Sequence, residues 1–184
     1  SHQVDVANRL LKTPPTRVIG SGGIDHWRDG RDVFDNVFCT YEYHVPGTDG
    51  GEARTVRVTF SAIQTNAHEG VMEVVMGTKG TLLLTQKKAF FYVEGQQRAS
   101  GMGADGMSGA TLQAANDPWA HRGKPMEIDS NDDDTRAELL SFIRDVQKGN
   151  RKTCAGVRLG LENTATVLIA NEAMREGRAV AYPN

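Results

Sequence analysis

Along residues 37–45 the chain alternates, with Val37, Cys39, Tyr41, Tyr43 and Val45 on one side and Phe38, Thr40, Glu42 and His44 on the other. That is the period of a strand. A second alternating run sets Val56, Val58, Phe60 and Ala62 against Thr55, Arg57, Thr59 and Ser61. Turn chemistry in the PGTDGG string at 46–51 joins the two runs, which predicts an antiparallel hairpin. Before them TRVIGSGGI is β-branched and then Gly-rich, a strand running into a loop. Residues 70–95 hold three further strand candidates, punctuated at 77–80 and 86–88, and their spacing is that of a meander, not of strand–helix–strand units.

Helical spacing appears at the two ends. In HQVDVANRLLK the residues Val4, Ala7 and Leu11, with Val6 and Leu10 beside them, predict a helix that Pro14 and Pro15 stop. At 135–138, T-R-A-E reads as a capping box from Thr135 to Glu138. Leu139, Phe142, Ile143 and Val146 then form the stripe of a helix packed on one side, ended by Gly149. A last helix spans about 159–175 and ends near Gly177, and 179–182 can close as a strand. Between 95 and 134 the pattern dissolves into Gly, Met, Ala, Asn and Asp, the least regular long stretch. The expected class is α+β, an open, predominantly antiparallel sheet with helices packed on one face. The other face, with Thr55, Arg57, Thr59 and Ser61, is polar enough for water or for another protein.

Composition narrows the partners. The 184 residues suit a single domain, and Lys+Arg 21 against Asp+Glu 23, a net charge of -2, lacks the basic footprint of a nucleic-acid binder. Only Cys39 and Cys154 are present, far apart and outside any paired motif, which points to a reducing, cytoplasmic home. No apolar run approaches the roughly 20 residues of a membrane span. The chain opens at Ser1-His2 without an initiator Met, as if in mid-sequence.

Two clusters could carry chemistry. His2, Asp5 and Arg9 fall on successive turns of the first helix as a polar ridge. Such a ridge can line a cleft, with the imidazole as general acid/base, or it can be a solvated helix face. His and Asp at this spacing could also share a metal ion, but no HExxH or paired-Cys pattern supplies further ligands, and no metal site is expected. The loop SGGIDHWRDGRDVFDN offers Trp27, Arg28 and Arg31 for stacking on and hydrogen-bonding to a polyhydroxylated ligand, or is a surface loop of charge pairs. Neither GSGG nor GTKGT matches the dinucleotide fingerprint G-x-G-x-x-G, so this chain alone is expected to bind neither NAD nor NADP.

The order of these segments resembles the C-terminal domain of the Gfo/Idh/MocA oxidoreductases, the family of glucose-fructose oxidoreductase and inositol dehydrogenase. The resemblance runs through SHQVDVANRLL, YEY, TVRVTFSA, VVMGTKGTLLL, FIRDVQKGNRK and ATVLIANEAMREGRAVAYP, nearly the whole chain outside the Gly/Met-rich stretch. It implies a preceding Rossmann domain holding NAD or NADP, a sugar, sugar derivative or cyclitol as substrate, and a homo-oligomer formed through the sheet. His2 matches the histidine of the family's G-x-H-x-x-D segment, which implies proton exchange with the substrate hydroxyl during hydride transfer. Asp5 matches the acid of that segment, implying an orienting or substrate-binding role. Related sequences often carry a His where this chain has Glu138. Two other functions remain open on this scaffold: NAD-dependent glycoside hydrolysis, and a non-catalytic sheet module for sugar binding or protein association.

Overall fold

A computed structural model of the chain describes residues 2–47, 50–67, 70–85, 88–93, 124–126 and 133–183. Most of the irregular stretch expected at 95–134 lies outside the described residues. The described chain is α+β, with eight strands in two antiparallel four-stranded sheets, and it clusters into two compact units.

The first unit takes residues 1–67 and 142–184. Its sheet has the order β3-β2-β1-β8, from β1 (Arg17–Gly23), β2 (Asn36–Val45), β3 (Arg54–Ile63) and β8 (Val180–Ala181). The β2–β3 hairpin aligns Cys39 with Phe60, Tyr41 with Val58 and Tyr43 with Val56, so the two apolar rows read from the sequence share one face. On the opposite face Glu42 lies between Arg17, at 2.6 Å, and Arg57, at 3.3 Å, a cross-strand charge trio in register.

Two helices cover the apolar face: α1 (His2–Leu11) and a long C-terminal helix, Val157–Glu176, numbered α3 below. Val4 and Ala7 of α1 and Ile169, Ala170, Ala173 and Met174 of α3 meet Val18, Cys39, Tyr41, Tyr43 and Val180 in one buried cluster. The glycines of β1 make this approach possible. A Cβ on Gly20 would stand 2.8 Å from both Cys39 Sγ and Met174 Cγ. The GSGG string therefore serves helix-on-sheet packing inside a paired strand.

The second unit, residues 68–141, is the expected meander in the order β4-β5-β6-β7: β4 (Met72–Gly77), β5 (Gly80–Thr85), β6 (Ala89–Val93) and β7 (Lys124–Met126). Among its described strand residues Ala89 alone is buried, and Val74, Met76 and Phe91 are exposed.

Helix α2 (Asp134–Gln147) starts two residues earlier than its capping pattern suggests. Asp133, not Thr135, is the cap: its Oδ1 accepts from the N–H groups of Thr135 and Arg136 at 3.0 and 3.3 Å, and its carbonyl takes Ala137 N–H. A carboxylate at that position reaches the two free amides first and also suits the helix dipole. Gly149, at φ 62°, ends the segment as expected. The stripe Leu139, Phe142, Ile143 and Val146, which the spacing predicts to be packed, is exposed.

Two glycine substitutions should move stability in opposite directions. Gly20→Ala forces Cys39 or Met174 aside and is expected to cost roughly 1–3 kcal/mol. Gly160→Ala, inside α3 with nothing within 4 Å of the added methyl, should stabilise by roughly 0.5–1 kcal/mol. Urea denaturation of the two variants beside the parent checks both signs.

Candidate functional site

Helix α1 has two faces, and its chemistry lies between them. Val4 and Ala7 are buried and draw Asn8 in with them, while His2, Asp5 and Arg9 stay on the outer ridge. Asp5 and Arg9 form an i,i+4 ion pair at 2.7 Å, with the acid nearer the helix N-terminus, the favourable orientation. Arg9 Nη1 also donates to the Cys154 carbonyl at 3.1 Å, tying α1 to the segment before α3.

Facing this ridge is the N-terminal half of α3. Between them lies a cavity of ≈ 490 Å³, with His2, Asp5, Arg9, Asn163 and Thr164 as its polar wall and Leu159, Val167 and Leu168 among its apolar lining. That volume falls in the range of roughly 300–1,000 Å³ typical of small-molecule sites, and an apolar wall facing a few convergent polar groups is their usual chemistry.

The polar wall is braced from behind. Tyr43 O–H donates to Asn8 Oδ1 at 2.9 Å, and Asn8 Nδ2 donates to Asn163 Oδ1 at 2.7 Å and to Thr166 Oγ1 at 3.4 Å. Asn163 Nδ2 in turn donates to Asp5 Oδ1 at 2.5 Å. Burial works against a charged Asp5, but the hydrogen bonds from Arg9 and Asn163, with the charges of Arg9 and His2, outweigh it and hold the carboxyl below its ordinary value. Burial pushes the Tyr43 hydroxyl well up, so it stays a neutral donor. Asn8, Asn163, Tyr43 and Thr166 were not singled out by sequence reasoning. An Asn set between Val4, Ala7 and Leu11 on an apolar helix face was the one available signal.

The second predicted cluster is elsewhere. Met174, eleven residues beyond Asn163 on α3, packs at Gly20 and Gly22 just before the loop that carries Trp27, Arg28 and Arg31. At 1.5 Å per residue Met174 and Asn163 stand about 16 Å apart along the helix, and none of the three loop residues lines the cavity. Asp35 organises the loop. Its buried carboxylate accepts the N–H groups of Asp25 at 3.0 Å and of His26 and Trp27 at 2.9 Å each. Those amides, Trp27 and Asp25 foremost, hold its pKa below the ordinary value despite burial. Arg31 is engaged twice, by both carboxylate oxygens of Asp29 and, at 5.2 Å, by the face of Trp27. Its hydrogen bond brings the Asp29 carboxyl down to about 2. Arg28 is exposed.

Among the described residues no group of three or more His, Cys, Asp and Glu could hold a metal ion, and no helix is long and apolar enough to cross a membrane.

A model of the oxidoreductase-family C-terminal alpha/beta domain matches residues 1–182. No curated protein matches the sequence. Solved structures do: an NAD binding oxidoreductase from Klebsiella pneumoniae is 19% identical with TM-score 0.58, over 100% of this chain and 49% of that one. An aldose-aldose oxidoreductase from Caulobacter crescentus, complexed with glycerol, is 16% identical with TM-score 0.59, over 98% and 45%. The WlbA dehydrogenase from Bordetella pertussis, in complex with NADH and UDP-GlcNAcA, is 12% identical with TM-score 0.58, over 100% and 46%. At these identities the likeness is one of fold, and the chain spans less than half the length of each structure.

The Asp35 anchor carries a pH dependence with a definite sign. Its folded pKa is depressed, so its stabilisation is complete above the unfolded value of about 3.9 and is lost as pH falls through the lower folded value. In a ¹H–¹⁵N titration the Asp25, His26 and Trp27 amide resonances should share one transition below about pH 4. Asp35→Ala should abolish that shared transition at any pH.

Proposed function

The chain belongs to the Gfo/Idh/MocA oxidoreductase family as its C-terminal α/β domain, and from that premise we propose that it is the substrate-binding half of an NAD(P)-dependent dehydrogenase acting on a sugar, sugar derivative or cyclitol hydroxyl. The observation that carries this is the placing of His2 and Asp5 together on the polar wall of the α1–α3 cavity. In this reading His2 is the general acid/base. It accepts the hydroxyl proton as the C–O bond becomes a carbonyl, and returns a proton in the reverse direction. Asp5, ionised and held from two sides, orients the helix ridge and offers an acceptor to a neighbouring substrate hydroxyl.

Among the described residues the Gly-rich strings GSGG and GTKG do not fit a dinucleotide. GSGG is paired along β1 beneath Met174, and GTKG is the turn of the β4–β5 hairpin, so neither opens a helix. In this reading hydride acceptance falls to a nicotinamide held outside the described residues, and these residues contribute the substrate and proton side. The solved relatives complexed with glycerol, and with NADH and UDP-GlcNAcA, support a polyhydroxylated substrate class. In this reading any contact from Trp27, Arg28 or Arg31, none of which lines the cavity, falls on a part of the substrate outside it or on a partner chain.

His2→Ala in the full-length protein tests this. Turnover should fall by roughly 10²- to 10⁴-fold while cofactor affinity, titrated by nicotinamide fluorescence, stays at the parent value. An unchanged rate would remove His2 from the mechanism.

A further inference from the structure

The hydrogen bonds behind the cavity wall run in one direction only. A carboxylate accepts and never donates, so Asn163 must present its amide nitrogen to Asp5. Its oxygen is thereby turned to Asn8, which has to offer Nδ2, and the Asn8 oxygen is left to the Tyr43 hydroxyl. Each amide orientation follows from the charge at the far end, and flipping either one sets two donors or two acceptors face to face.

We propose that Asn163 is the positioning residue of this site, the group that sets the Asp5 carboxylate in place beside His2, with Asn8 and Tyr43 as its anchor. The inference rests on the proposed roles of His2 and Asp5. Arg9 cannot do this work alone. It lies on the same helix as Asp5, its side chain is 41% exposed, and exposed i,i+4 pairs hold their geometry weakly. Asn163 comes from a different helix and is itself fixed from the sheet side, because Tyr43 is 1% and Asn8 3% exposed. The charged groups around Asp5 are His2 and Arg9 on its own helix. On α3, Asn163 is neutral, and the neighbouring Glu162 is held by Arg158 at 2.9 Å.

The test is the titration of the Asp5 carboxyl by ¹³C NMR in the parent chain, in Asn163→Leu, which keeps the branched shape and removes the donor, and in Asn163→Ala, which removes it by truncation. Loss of a hydrogen bond to a charged acceptor should raise the Asp5 midpoint by about one unit, a tenfold change in ionisation, in either folded variant. A midpoint equal to the parent's in a folded variant overturns the proposal, and if Asn163→Leu does not fold, Asn163→Ala decides. In the full-length protein the same substitutions should lower kcat by more than they raise KM. If His2→Ala keeps full activity the proposed catalytic role falls while the Asp5 titration still stands. An unmoved Asp5 midpoint removes the positioning role whatever His2 does.

Discussion

A buried amide has to find its hydrogen bonds, and the site depends on how Asn8 finds them. Its side chain enters the core because Val4, one turn before it, and the adjacent Ala7 are buried there. Left unpaired, such a group would cost about 1–3 kcal/mol. It is paired on both ends instead, with Tyr43 from the sheet and with Asn163 and Thr166 from α3. One residue of α1 thereby ties three elements together, and the ridge of His2, Asp5 and Arg9 is presented at a set angle to α3. No buried side-chain nitrogen or oxygen among the described residues lacks a partner.

Asp35 solves the same problem at the other end of α3. A carboxylate removed from solvent gathers three successive backbone N–H groups, and a twelve-residue excursion between β1 and β2 becomes an ordered loop with Trp27 on its surface. The two polar anchors share one apolar frame, the cluster from Val18 to Met174, whose closeness depends on Gly20 and Gly22. Asn8 backs the wall of a ligand-sized cavity, and Asp35 holds a self-satisfied loop. This contrast is the physical reason for proposing α1 as the seat of the chemistry.

Much of the architecture was legible because alternation is a local property with a period of two. The rows Cys39, Tyr41, Tyr43 and Val56, Val58, Phe60 could be read before their partners were known, and they face the same way in the fold. Caps and stripes were less faithful. Thr135 and Asp133 both satisfy a capping pattern, and only the geometry of the first turn chooses between them. The stripe of α2 is periodic yet exposed, since periodicity states which residues share a face and not what covers it.

By itself the sequence determined the class of fold, the hairpin and meander, the helix that carries His2, Asp5 and Arg9, and the family to which these belong. Each of those follows from residues close together in the chain or from their order along it. What only the tertiary structure decided is which side chains meet across long separations. Asn163 reaches Asp5 over 158 positions and Tyr43 reaches Asn8 over 35, whereas Trp27, Arg28 and Arg31, nearer to His2 in sequence, stand at the opposite end of α3. A hydrogen bond depends on where the packed core holds its donor and acceptor, and that placement is a property of the whole sheet and its two helices, which no local pattern encodes.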